Sequence, residues 1–106
     1  MTMERLMGFA GLVLLSGCVT SSHQMTGKVR PQIAPEAVKV YDSAPAGAEE
    51  IALIDGADPW RHRMDKVIAT MKKEAAQIGA NGIVIDRTSV DGWNAAEING
   101  RAIYVP

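Results

Sequence analysis

The stretch from Pro59 to Ile78 constrains the fold of this chain more than any other, because its apolar residues recur at a helical spacing. Met64, Val67, Ile68, Met71, Ala75 and Ile78 follow the i, i+3, i+4 rule and share one face, while Arg63, Lys66, Lys73 and Gln77 lie away from its centre. Asp58 is placed to cap the free N–H groups, and Pro59 suits the first helical position, where its missing N–H costs nothing. Gly79 supplies a left-handed stop. A helix with one apolar face needs a second layer to bury it, so the rest of the chain is expected to supply a sheet.

Strand signals flank the helix. Val38 to Tyr41 alternates apolar and charged residues and runs into the turn-rich stretch from Asp42 to Gly47. Glu49 to Ile54 carries an apolar run of strand length that stops at Asp55-Gly56, a pair favoured where the backbone turns with positive φ. Beyond the helix, Asn81-Gly82 turns the chain into Ile83 to Arg87, whose β-branched residues predict a central strand covered on both sides. A loop or hairpin connection follows from Ser89 to Asn94, and Arg101 to Val105 reads as the closing strand. The expected fold is therefore α/β (α+β), a small sheet of about four strands in the order β-β-α-β-β with one long amphipathic helix on one face. The pattern leaves the spatial order of the strands open.

The first eighteen residues follow a different logic. Met1 to Arg5 is short and carries Arg5, and Leu6 to Leu15 is uncharged and mostly apolar, an n-region followed by an h-region. Roughly 20 apolar residues are needed to cross a bilayer, and this run stops short at Ser16-Gly17-Cys18, so it reads as a signal peptide. Leu15-Ser16-Gly17-Cys18 looks like the bacterial lipobox, with an aliphatic residue, two small residues that fit a narrow peptidase cleft, and a thiol that accepts diacylglycerol. Residues 1–17 are expected to be removed, leaving Cys18 as the lipid attachment point and the only link to a membrane. Val19 stands where an Asp tends to hold such lipoproteins in the inner membrane, which favours the outer membrane with the domain facing the periplasm. Residues 18–35, mostly polar with Gly27, Pro31 and Pro35 and no sustained period, read as the lipidated Cys and a flexible tether, and residues 36–106 as the domain.

Size and charge narrow the functional classes. With 106 residues there is room for one domain, and a large internal active-site cavity is not expected. Acidic and basic residues are mixed to a net charge of -1, without the basic stripe of a nucleic-acid binder. Cys18 is the only cysteine, so no internal disulfide forms.

Several local matches point towards a family. Arg63-Met64 early in the helix, Ala75-Ala76 near its end, Gly79-Ala80-Asn81-Gly82-Ile83-Val84 at its exit and Gly100-Arg101-Ala102 before the last strand resemble the core of the Rcs-type envelope stress-sensor lipoproteins and of the YbjQ-like domains. The resemblance spans roughly residues 38 to 105 and rests on packing and turn residues. It implies a lipid-anchored domain that reports envelope damage by binding partner proteins. In the Rcs-type sensors it also implies stapling disulfides, and this chain departs from that pattern by having no cysteine beyond Cys18.

Individual side chains were weighed for chemistry on their residue types. His62 and Asp65 lie close enough on the helix to share a metal ion, an idea that the heavy-metal-binding label of YbjQ-like domains encourages, but two ligands do not close a site. His23 would have to be recruited from the tether at an entropic cost, so a solvated helix face is the expectation and no metal or cofactor other than the covalent lipid is assigned. No Ser sits in a nucleophile elbow, and Glu49 and Glu50 are adjacent, so on a strand they point to opposite faces; an enzyme is not expected. The glycines at 79 and 82 follow a helix, whereas phosphate-cradling loops precede one. Trp60 and Trp93 each sit beside a loop signal and either seal a core edge, the favoured reading, or form an exposed patch for a partner. The expected function is a non-enzymatic outer-membrane lipoprotein, an interaction module for envelope sensing, with a small-ligand or metal-binding lipoprotein and a structural envelope lipoprotein as the alternatives.

Overall fold

A computed structural model describes residues 19–59, 63–90 and 95–106. The chain runs β1 (Thr20–Met25), a single 3-10 turn (Pro35–Ala37), β2 (Lys39–Tyr41), β3 (Glu49–Asp58), α1 (Met64–Gln77), β4 (Gly82–Val90) and β5 (Ala96–Tyr104). The strands form one sheet in the order β1-β3-β5-β4-β2. Every pairing is antiparallel except that of β2 with β4. β3 and β4 therefore run the same way with β5 between them, and α1 is the crossover that joins them, a split βαβ unit.

The helix face read from the sequence is the one that packs. Val67, Met71, Ala75 and Ala76 are fully buried against Ile51, Ala52, Ile54, Ile83, Ile98 and Ala102 of the sheet, with Met64 and Ile68 at the margin. Gly56 lets the helix come close: a Cβ there would lie 2.6 Å from Met71 Cγ and 2.7 Å from Val67 Cγ1. The class is mixed α+β with one helix on a sheet, but the sheet has five strands rather than four.

The fifth strand comes from the stretch expected to be a tether. β1 pairs with β3 from Thr20 opposite Ala57 to Met25 opposite Ala52. It is a polar edge strand, held by backbone bonds and by Glu74 of α1, which receives the Ser21 hydroxyl at 2.9 Å and lies 2.5 Å from His23 Nδ1. The chain then crosses to the far end of the helix, where Ile33 N–H donates to the Ala76 carbonyl at 3.0 Å and Arg30 N–H to that of Ile78 at 2.9 Å. Those carbonyls belong to the helix exit, so residues 26–33 add donors there beside the bonds made by the C-terminal turn itself. The domain accordingly takes in residues 19–35.

Other boundaries shift for identifiable reasons. β3 does not stop at Asp55-Gly56 but runs through it to Asp58, because Gly56 serves the approach of α1 and does not adopt positive φ. Asp58 is the last residue of β3 and not the helix cap; it is fully buried and accepts from Arg63 Nε at 2.8 Å, and the helix begins after Arg63 rather than at Pro59. Gly79 does adopt the left-handed stop, with φ +78°. Ala80 N–H bonds the Ala75 carbonyl and Gly79 N–H that of Ala76, closing a Schellman motif. β4 continues past Arg87 to Val90, and β5 begins at Ala96, so Gly100 lies inside the strand. There a Cβ would run into the Val84 carbonyl at the bulge between β4 and β5.

Candidate functional site

The register gathers four strand termini at one end of the sheet. Thr20 of β1 pairs with Ala57, Ala57 with Glu97, and Glu97 with Ser89, so the start of β1, the end of β3, the start of β5 and the end of β4 lie in one row. Just beyond that row come Val19, Pro59, Val90 and Ala95, the described residues at the rim. Val90 is 52% exposed and Pro59 is exposed, whereas Val19 is partly buried and packs against the core.

Two shallow depressions open at this end and meet at Glu97. One, of about 370 Å³, lies over Thr20, Ser22, Asp55 and Ala57; the other, of about 350 Å³, lies over Ser89, Val90 and Ala96. Both are open to solvent, and the first is lined also by Ser21 and Gly56, which face α1. On the opposite face, Asn99 Nδ2 donates to Asp55 Oδ1 at 2.6 Å and stands 3.4 Å from Glu97 Oε2. Further along it, Arg101 forks onto Asp86, with Nε to Oδ2 and Nη2 to Oδ1 both at 2.9 Å. The Asp86 hydrogen bond raises the Arg101 pKa above its ordinary value, which burial opposes and the Asp86 and Glu50 charges reinforce. Exposed pairs of this kind contribute at most about 1 kcal/mol, so the array shapes the face more than it holds the fold. Leu53, 43% exposed, stands on this face, and by register the buried Val84 and Ile103 share it.

Cys18, Trp60, His62 and Trp93, singled out from the sequence, lie outside the described residues. Among the described residues, Val19, Pro59, Val90 and Ala95 stand at one sheet end. Asp65 is exposed in the first turn of α1. His23 lies on β1, where it pairs with Glu74 of α1, and not on a tether. Among the described residues no group of three or more His, Cys, Asp or Glu is arranged to hold a metal ion, and no helix is long and apolar enough to cross a membrane. Glu49 and Glu50 have separate partners, Arg30 Nη2 at 2.8 Å and the Thr26 hydroxyl at 2.7 Å.

Sequence reasoning missed Ser21, Glu74 and the Asp58–Arg63 pair, because each is an assembly of residues that only the fold brings together. Ser21 and Glu74 are far apart in the chain, and the spacing of Asp58 and Arg63 falls on the strand-to-helix junction, where no regular period applies.

No protein-family profile matches the chain, and no curated protein sequence matches it significantly. Among solved structures it is similar to the Francisella virulence factor FvfA, with a TM-score of 0.58 and 18% identity over 79% of this chain and 96% of that one. At that identity the likeness carries the fold alone: the two chains share a sheet-and-helix architecture.

Proposed function

We propose that this chain is a lipoprotein of the bacterial envelope, attached through lipid on Cys18, whose folded domain acts as a non-enzymatic interaction module. The observation that carries the reading is the sequence Leu15-Ser16-Gly17-Cys18 after an uncharged apolar run, which places the start of the mature chain at Cys18. Cleavage there would keep every residue of β1, whose first residue is Thr20, in the mature protein. Lipid on that thiol would hold the protein at a membrane, at roughly 0.8 kcal/mol per buried CH₂, with two or more acyl chains needed for stable attachment.

Val19 after the cysteine favours the outer membrane, with the domain in the periplasm. Envelope sensing through a partner protein is the role that the Rcs-type resemblance suggests. The uncovered sheet face, with its alternating Asp55, Asn99, Arg101 and Asp86 groups around Leu53, offers a polar surface for such a partner.

Intact-mass analysis of membrane-extracted protein tests the reading. The wild type is expected to lack residues 1–17 and to carry diacylglycerol-derived mass, while Cys18→Ser accumulates as an unlipidated precursor. A wild-type chain that keeps Met1 to Gly17 and carries no lipid would refute it.

A further inference from the structure

We infer that the outer edge of β1 is a self-association surface, on which a second copy of this chain pairs its own β1 antiparallel to make one sheet continuous across both copies. The inference names a partner for the domain and stands whether or not Cys18 carries lipid. Its starting point is the direction of the main-chain groups of β1. Thr26 N–H donates to the Ile51 carbonyl at 2.9 Å, continuing the register that sets Met25 opposite Ala52. Main-chain groups alternate sides along an antiparallel strand, so Thr20, Ser22 and Gln24 turn theirs towards β3, and Ser21, His23 and Met25 turn theirs outward. β1 ends the sheet, and among the described residues no strand lies beside that outward row.

Sheet edges are ordinarily blunted against pairing, and the opposite edge of this sheet shows how. β2 is three residues long, opens on Lys39 and closely follows the Pro35–Ala37 turn. β1 has none of these devices. It is six residues long, contains no Asp, Glu, Lys, Arg or Pro, and runs along β3 without a shift of register. All of its residues except Ser21 are exposed.

The strand is also complementary to itself. A two-fold axis at His23 sets Ser21 of one copy opposite Met25 of the other and His23 opposite its own copy, which joins every outward N–H and C=O group of β1 in roughly six new hydrogen bonds. Ser21 and His23 face α1, so Thr20, Ser22, Gln24 and Thr26 share the other face. In this register Ser22 stands opposite Gln24 and Thr20 opposite Thr26, pairs of hydroxyls and an amide that can bond across the strands. Symmetry repeats each match on both sides of the axis, whereas a foreign peptide would have to supply every one separately. The carboxylates around β1 already have partners: Glu74 takes Ser21 and His23, Glu50 takes the Thr26 hydroxyl, and Asp55 takes Asn99. Lys28 lies beyond the paired span.

The test is sedimentation equilibrium of the full chain in density-matched detergent across the micromolar range. The wild type is expected to be a dimer in equilibrium with monomer. Two double variants place charge on the exposed face of β1, Ser22→Lys with Gln24→Lys, and Ser22→Glu with Gln24→Glu. Like charges then stand directly opposite across the axis, so each variant alone is expected to associate at least tenfold more weakly than the wild type. Mixed together, the Lys and Glu variants are expected to recover the dimer as a heterodimer, which chains that had merely misfolded would not do. Circular dichroism reports whether each variant keeps its fold. If either does not, amide exchange of the wild type decides: the Ser21, His23 and Met25 amides should slow as concentration rises while those of β5 stay unchanged. A wild type that remains monomeric, a Lys variant that dimerises as strongly as the wild type, folded variants that stay monomeric on mixing, or β1 amides indifferent to concentration would overturn the proposal.

Discussion

Gly79 and Gly47 share a backbone conformation and differ in what surrounds it, which makes them a matched pair for asking what a glycine is worth here. Both have φ +78°. At Gly79 an added Cβ would lie 2.5 Å from the backbone of Arg30, whereas at Gly47 the nearest atom is Pro106 Cγ at 3.9 Å. Substituting Ala at either position incurs the left-handed penalty of about 1–2 kcal/mol. Only at 79 must the Arg30 backbone also give way, and it is held by its N–H bond to the Ile78 carbonyl. Overpacking of that kind adds about 1–3 kcal/mol. Gly79→Ala is therefore expected to destabilise the protein by about 3 kcal/mol and Gly47→Ala by about 1 kcal/mol, measured by urea unfolding. Equal losses would mean that Arg30 does not crowd the helix exit. Gly79 was legible as a stop because its sequence context was local; the second demand on it came from a residue far away in the chain.

At the scale of elements, β1 is the strand whose attachment is most delicately made. It sits at the sheet edge with mostly exposed side chains, and its contact with α1 runs through Glu74, which bonds both Ser21 and His23. Removing a partly exposed polar cluster of this size costs on the order of 1 kcal/mol. Glu74→Ala should speed amide exchange of the β1 residues about fivefold while leaving β5, buried in the sheet centre, unchanged. Uniform acceleration through both strands, or none in β1, would show that Glu74 does not hold the edge. This also explains why β1 could not be read from the sequence. Thr20 to Met25 lacks apolar alternation because the strand is held by main-chain bonds and one carboxylate, neither of which leaves a hydrophobic period. The converse happened at Gly56, where a local turn signal was real chemistry put to another use: the missing Cβ admits Met71 and Val67. The packing face of α1 was legible in full, since burial against a sheet imposes the period of the helix on its own residues. Its start was not, because Asp58 is drawn into β3 and paired with Arg63. Of the candidate site, Cys18, Trp60 and Trp93, read from the sequence, lie outside the described residues. The row of strand ends depends on pairing register, which no local pattern encodes.

For the whole molecule the question is where the cooperative unit begins. The sequence placed it at residue 36, after a polar stretch; the fold draws residues 19–35 into it, with Thr20–Met25 as a strand of the sheet. The stretch in between contributes little apolar surface of its own, but it supplies what the rest cannot do without. β1 covers the edge of β3, which would otherwise expose an unpaired row of N–H and C=O groups. Arg30 N–H supplies a donor to the Ile78 carbonyl, whose loss would cost about 1–3 kcal/mol if it were left buried and unpaired, and Ile33 N–H adds a second bond to the Ala76 carbonyl. Against a total stability of about 5–15 kcal/mol for a domain of this kind, the loss of those two bonds and the edge pairing is large. Residues 36–106 alone are therefore expected to be partly unfolded or aggregated, while residues 19–106 show a single cooperative thermal transition. Circular dichroism melts with analytical ultracentrifugation at matched concentration distinguish the two. If the shorter chain melted cooperatively at the same temperature as the longer one, residues 19–35 would be an appendage to the domain after all, and neither the edge cover of β3 nor the bonds at the helix exit would be needed for its cooperativity.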